Sequence, residues 1–186
     1  MSSLKFHADV NDIRFVIFDQ LKIQDDLAKI KELADFDEDT ISTMMDEAYR
    51  LATDILAPIN GPGDRVGCAL DGEGNVTTPD GFDTAWNAMA EGGWIGVSAP
   101  VEAGGLGGPS SLAMIANDFF SGAAMAFQMY PGVSAAAARV IYKFGPPGRS
   151  IEYAEKMFAG EWGGTMCLTE AGAGSSVGDN RCKATP

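Results

Sequence analysis

Positive charge and histidine are scarce in this chain of 186 residues: 13 Lys and Arg stand against 26 Asp and Glu, and there is one histidine. The net charge of -13 repels a nucleic-acid backbone and an anionic membrane surface, so neither is expected as a partner. More than half of the acidic residues lie before Val66, giving the N-terminal third an anionic, solubilising surface. The lone His7 sits in an N-terminal segment without positioned partners, which argues against a catalytic or metal role. Three cysteines, Cys68, Cys167 and Cys182, are odd in number and lack C-x-x-C spacing, so no disulfide framework, zinc site or other metal site is expected. No uninterrupted apolar run reaches the ~18 residues of a membrane span, and no apolar stretch of signal-peptide type follows Met1 to Phe6. These absences predict a soluble, cytoplasmic chain.

What is present is a helical pattern with 46% hydrophobic residues. Ile13, Val16, Ile17 and Leu21 share one helical face behind a cap at Asp9 or Asn11. Leu27, Ile30 and Ala34 give a weaker helical pattern. Asp37 to Thr40 caps a longer helix with the stripe Ile41, Met44, Met45, Ala48, Ala52 and Ile55, expected to end before Pro58. From Asn60 to Gly81, turn residues predict a loop with a small hairpin, followed by a short helix through Phe82, Ala85, Trp86 and Met89. The glycine-rich run Ala103 to Pro109 reads as a loop that fits closely against another surface. Leu112 to Phe127 predicts a deeply buried helix stopped at Tyr130-Pro131-Gly132, with Ser134 capping another. Ser150 starts a last helix ending near Gly160, and Thr165 to Thr169 is expected to form a strand. Met44, Met45, Met114, Met125 and Met129 lie on helical stripes and are expected in the core.

That strand would deliver the loop Glu170 to Gly178, rich in glycine and hydroxyls and therefore able to bring backbone amides close to an anion or a flat cofactor. A dinucleotide fingerprint would need glycine at Val177, and a P-loop would need Gly-Lys-Ser/Thr; neither is present. Thr169, Ser175 and Ser176 can donate to a phosphate or carbonyl, although a simple turn would show the same composition. Glu170 either abstracts a proton or fixes the turn by accepting backbone amides, the second being favoured.

The run Cys167-Leu168-Thr169-Glu170-Ala171-Gly172-Ala173-Gly174-Ser175-Ser176-Val177-Gly178 resembles the flavin-binding signature of the acyl-CoA dehydrogenases. Gly93 to Val97, followed by Gly104-Gly105-Leu106-Gly107, resembles a second landmark of that family. Asp12 to Val16, and Ala57 to Asn60 with Gly63-Asp64, look like the N-terminal extension of its longer bacterial members, the 3-methylmercaptopropionyl-CoA dehydrogenases among them. The resemblance implies an all-α, N-terminal helical domain of about six helices, with the first strand of a β-domain at its C-terminal end. It divides the chain into an extension over 1–36, the helical domain over 37–162 and the start of a truncated β-domain over 163–186.

It further implies FAD as cofactor, contacted by Met166, Cys167, Leu168, Thr169 and Ser175, with Ser175 also near the thioester of an acyl-CoA substrate. The implied reaction is α,β-oxidation to the trans-2-enoyl-CoA, with electron-transfer flavoprotein or a similar acceptor and a homo-oligomeric full-length enzyme. No residue matches the catalytic glutamate, so the chain alone is expected to be inactive. Ala171 stands where the signature has proline, and Ser176 where an acidic residue is common, which loosens the turn and removes a charge. The alternative is a non-catalytic helical module that binds a partner chain supplying the missing domains.

Overall fold

The computed structural model describes residues 5–185. Asp9 supplies the first cap: its Oδ1 accepts the amides of Asn11 at 3.1 Å and Asp12 at 3.2 Å, opening α1 (Val10–Arg14). The helix runs on through a π-helical stretch, Phe15–Gln20, that buries Phe18. After α2 (Ile23–Leu27), the Asp37 carboxylate accepts the Thr40 amide at 2.8 Å and starts α3 (Glu38–Leu51). Ile41, Met45 and Ala48 form its buried stripe.

The helix does not end before Pro58. A π-helical segment, Ala52–Leu56, follows α3 and leads into α4 (Ala57–Val66), so Asn60 to Gly63 are helical rather than loop. The reason is the wider turn, in which the Ala57 amide reaches back to the Ala52 carbonyl. Pro58 then falls in the first turn of α4, where a missing N–H costs least. The hairpin is small and as expected: β1 (Ala69–Leu70) pairs antiparallel with β2 (Val76–Thr77), Ala69 opposite Thr77 and Leu70 opposite Val76. Asp71 closes its turn by accepting the amides of Glu73 and Asn75.

Beyond α5 (Phe82–Glu91) lies the central element, α6 (Ser110–Phe144), followed by α7 (Arg149–Phe158). The break expected at Tyr130 to Gly132 sits instead at Ala124, whose backbone at φ -155, ψ 75 leaves the helical region. Pro131 lies inside the second half and is fully buried, so apolar packing outweighs the one helical hydrogen bond it removes. Ser134 therefore caps nothing; it is buried within α6.

Phe119, Phe120 and Phe127 of α6 meet Ile41 and Met45 of α3, Leu56, Met89 and Phe158 in one continuous core. Edge-to-face contacts tie it together: Tyr49 to Phe119 and Trp94 to Phe120 at 5.5 Å between centroids. Phe6, Val10, Ile13 and Phe36 also pack on this core, so the N-terminal segment shares it. Met45 is buried and Met44 half-buried as expected, whereas Met114, Met125 and Met129 are exposed. Helix α6 is apolar around more of its circumference than its neighbours cover. Among the described residues, no helix is long and apolar enough to cross a membrane.

Candidate functional site

The strand expected at Thr165 to Thr169 is not formed. The segment lacks strand pairing among the described residues, and only the Glu170–Ala173 bridge closes the turn that follows. A strand exists through its partner, and local sequence supplies none here. The segment is nevertheless anchored at its start. The Gly164 amide donates to Ser134 Oγ at 3.0 Å, linking it to the middle of α6. Gly164 is packed so tightly that an added Cβ would stand 2.8 Å from both Ala137 Cβ and Met157 Cε.

From that anchor, Met166, Cys167, Leu168 and Thr169 run outward with exposed side chains, and Ser175 is exposed as well. Among the described residues, the backbone amides of Met166 to Thr169 make no hydrogen bond, while the Leu168 carbonyl accepts from Asn180 Nδ2 at 2.8 Å. Glu170 takes the structural role. Its two carboxylate oxygens accept the amides of Arg181 at 2.8 Å and Cys182 at 2.9 Å, drawing the C-terminal stretch back over the loop. Those two bonds favour the ionised form and hold the carboxyl below its ordinary range.

The second landmark folds against itself. Leu106, Gly107 and Gly108 donate their amides to the carbonyls of Gly96, Ala99 and Val97 at 2.9–3.0 Å. Gly105 makes this possible, because a Cβ there would lie 2.3 Å from the Ala99 carbonyl oxygen. Gly104 and Gly107 carry φ of +77° and +65°, which bulkier residues resist. The close fit read from the glycines is thus a fit of Gly104 to Gly108 onto Gly96 to Pro100.

This landmark also forms one wall of a cavity of about 430 Å³, with Trp94, Ile95, Val97 and Ser98 on one side and residues of α6 on the other. Most of the lining is apolar, with Met114, Ala116, Phe120, Pro131 and Ala135 among it. Polar groups share the lining: Ser110 is among it, Gln128 donates from Nε2 to Asn117 Oδ1 at 2.9 Å, and Arg139 donates to Ser98 Oγ at 2.9 Å. Gln128 is only 8% exposed, and its Oε1 has no protein partner among the described residues. None of Met166, Cys167, Leu168, Thr169 or Ser175 lines this cavity, so the two landmarks contribute separate features. Gln128 was legible only as a polar residue interrupting an apolar stripe.

Residues 70–161 match the family model described as acyl-CoA dehydrogenase, N-terminal domain. The chain is 30% identical over 183 residues to 3-methylmercaptopropionyl-CoA dehydrogenase of Ruegeria pomeroyi, covering 98% of this chain and 31% of that protein. It is 33% identical over 180 residues to a broad-specificity linear acyl-CoA dehydrogenase of Mycobacterium tuberculosis, covering 96% and 29%. A butyryl-CoA dehydrogenase of Syntrophomonas wolfei is 30% identical over 181 residues, covering 95% and 29%. The chain thus spans about three tenths of the length of these relatives. With its helical architecture, the matched N-terminal domain and similarity running along nearly its whole length, the chain belongs to the acyl-CoA dehydrogenase family.

Proposed function

We propose that this chain provides the N-terminal helical domain and part of the flavin-contacting segment of an FAD-dependent enzyme that oxidises an acyl-CoA to its trans-2-enoyl product. The observation that carries the reading is the large cavity, lined by apolar and polar groups, between the Trp94–Ser98 wall and α6, within the region matched to the family. Its volume and lining suit the apolar tail of a thioester.

The residues of the outward-running segment fit a flavin in kind. Met166 to Thr169 offer unpaired backbone amides, and Thr169 and Ser175 offer exposed hydroxyls, the donors that a flavin ring and a phosphate require. In this reading Met166, Cys167, Leu168 and Thr169 lie along the flavin ring, and Ser175 donates toward the pyrophosphate and the thioester. FAD supplies hydride acceptance when bound. The chain's own groups bind and orient; Glu170 is committed to the Arg181 and Cys182 amides and is unsuited to be the base.

The division into an extension over 1–36, a helical domain over 37–162 and the beginning of a β-domain over 163–186 follows from the same reading. Electron-transfer flavoprotein or a similar carrier is the proposed electron acceptor.

No residue of the chain is assigned as the base, so we expect it to turn over no acyl-CoA. Absorbance of the purified chain with added FAD, followed by anaerobic acyl-CoA addition, tests this. Stoichiometric flavin that bleaches with acyl-CoA would refute the claim of inactivity. In a longer protein that includes this chain, failure to bleach with any acyl-CoA would refute the proposed activity.

A further inference from the structure

A different face of α6 borders a second recess that the proposed reaction does not use. It has a volume of about 200 Å³ and is lined by Thr78, Phe82, Asp83, Trp86, Phe127 and Tyr130, sharing no residue with the cavity at Gln128. Phe82 and Trp86 stand one turn apart on α5, and Phe127 and Tyr130 one turn apart on α6. Two helices thus bring four aromatic rings around one hollow.

The frame is fixed. Trp86 Nε1 donates to the Gly160 carbonyl at 2.9 Å, holding the indole, and the Phe82 and Phe127 rings meet edge to face at 5.6 Å and 89°. Phe127 is 2% exposed and Tyr130 46% exposed, so the recess runs from a buried aromatic floor to an open aromatic rim. Burial and the neighbouring Cys68 thiol push the Tyr130 phenol up from its ordinary pKa, which keeps that ring neutral.

The chemistry of the lining restricts its occupant. Among the described residues that line it, Asp83 is the only charged one, and Thr78 and the Tyr130 hydroxyl add polar atoms, but the exposed surface of the recess is almost wholly apolar. A primary ammonium, with three N–H groups to satisfy, is poorly served by such a surface. An anion would face Asp83 and a chain of net charge -13. A cation clothed in methyl groups meets neither objection: aromatic rings attract its charge, the hollow buries its methyls, and the exposed Asp83 belongs to the lining.

We propose that Phe82, Trp86, Phe127 and Tyr130, with Asp83 as counter-charge, form a binding site for a quaternary ammonium head group. The site is independent of the flavin and thioester reading.

Isothermal titration of the full chain with choline at low ionic strength tests it, beside the tert-butyl analogue in which carbon replaces the ammonium nitrogen. Choline is expected to bind saturably and about tenfold more tightly than the uncharged analogue. Tyr130→Leu and Asp83→Asn, both at exposed side chains, are each expected to weaken choline about three- to tenfold with an unchanged circular dichroism spectrum. Trp86→Leu also breaks the bond to Gly160, so the two surface variants carry the test. Absence of choline binding, equal affinity for the analogue, or unchanged affinity in both surface variants would overturn the proposal.

Discussion

Gly164→Ala is the sharpest perturbation of the segment assigned to the flavin. The added methyl would meet Ala137 Cβ and Met157 Cε at 2.8 Å and Ser134 Cα at 3.2 Å. The Met157 methyl is the end of a flexible chain and can turn aside; Ala137 and the Ser134 backbone belong to α6 and cannot move without it. Overpacking of this kind costs about 1–3 kcal/mol. Displacing the Gly164 amide from Ser134 Oγ removes a hydrogen bond worth about 0.5–1.5 kcal/mol, since the hydroxyl belongs to a buried residue. Against these, alanine restricts the unfolded chain and returns about 0.4–1 kcal/mol. The net is a loss of about 0.5–4 kcal/mol.

If the loss is felt globally, Tm falls by about 2–4 °C per kcal/mol for a chain of this size. If instead the segment detaches, Tm changes less, and exchange of the residue 164 amide, the one bonded to Ser134 Oγ, accelerates about tenfold for each 1.4 kcal/mol of lost local stability. Differential scanning calorimetry with hydrogen-exchange mass spectrometry separates the two. Unchanged Tm together with unchanged exchange of the residue 164 amide would refute the claim that Gly164 anchors the segment. Ser134→Ala in the Gly164→Ala background should add little, because both changes break the same bond.

Glu170 gives a pH prediction. Its folded pKa lies below the ordinary value, so the stabilisation it provides is present above the unfolded carboxylate pKa and is lost as pH falls through the folded one. Exchange protection of the Arg181 and Cys182 amides should therefore decline on acidification, and Glu170→Gln should abolish that pH dependence; a variant with the wild-type profile would assign the effect elsewhere. In the core, Phe119→Ala removes a fully buried ring that packs edge to face on Tyr49 and should cost about 3–5 kcal/mol in denaturant unfolding. A cost below about 1 kcal/mol would contradict the packing described for α6.

Much of the helical layout was legible because its signals are local. Asp9 and Asp37 cap helices where the sequence placed them, and the stripe Ile41, Met45 and Ala48 points inward. The hairpin follows from Asp71 and Asn75, whose side chains and backbone close the turn within a few residues. The prolines misled for the opposite reason. Pro58 and Pro131 carry a local penalty, and a π turn at one and burial against the core at the other allow the helix to continue. Helical periodicity likewise marked Met114, Met125 and Met129 as apolar without showing whether another element covers them.

The sequence alone determined the helical class and the small hairpin, because caps, periodicity and turn chemistry act over a few residues, and its runs Cys167 to Gly178 and Gly93 to Gly107 carried the acyl-CoA dehydrogenase resemblance. Tertiary structure decided what is absent from any short window. It left Thr165 to Thr169 without a strand partner among the described residues, tied Gly164 to Ser134, committed Glu170 to distant amides, and set Phe82 and Trp86 against Phe127 and Tyr130. Cavities and strand partners arise between residues far apart in the chain, where packing rather than local hydrogen bonding sets the outcome.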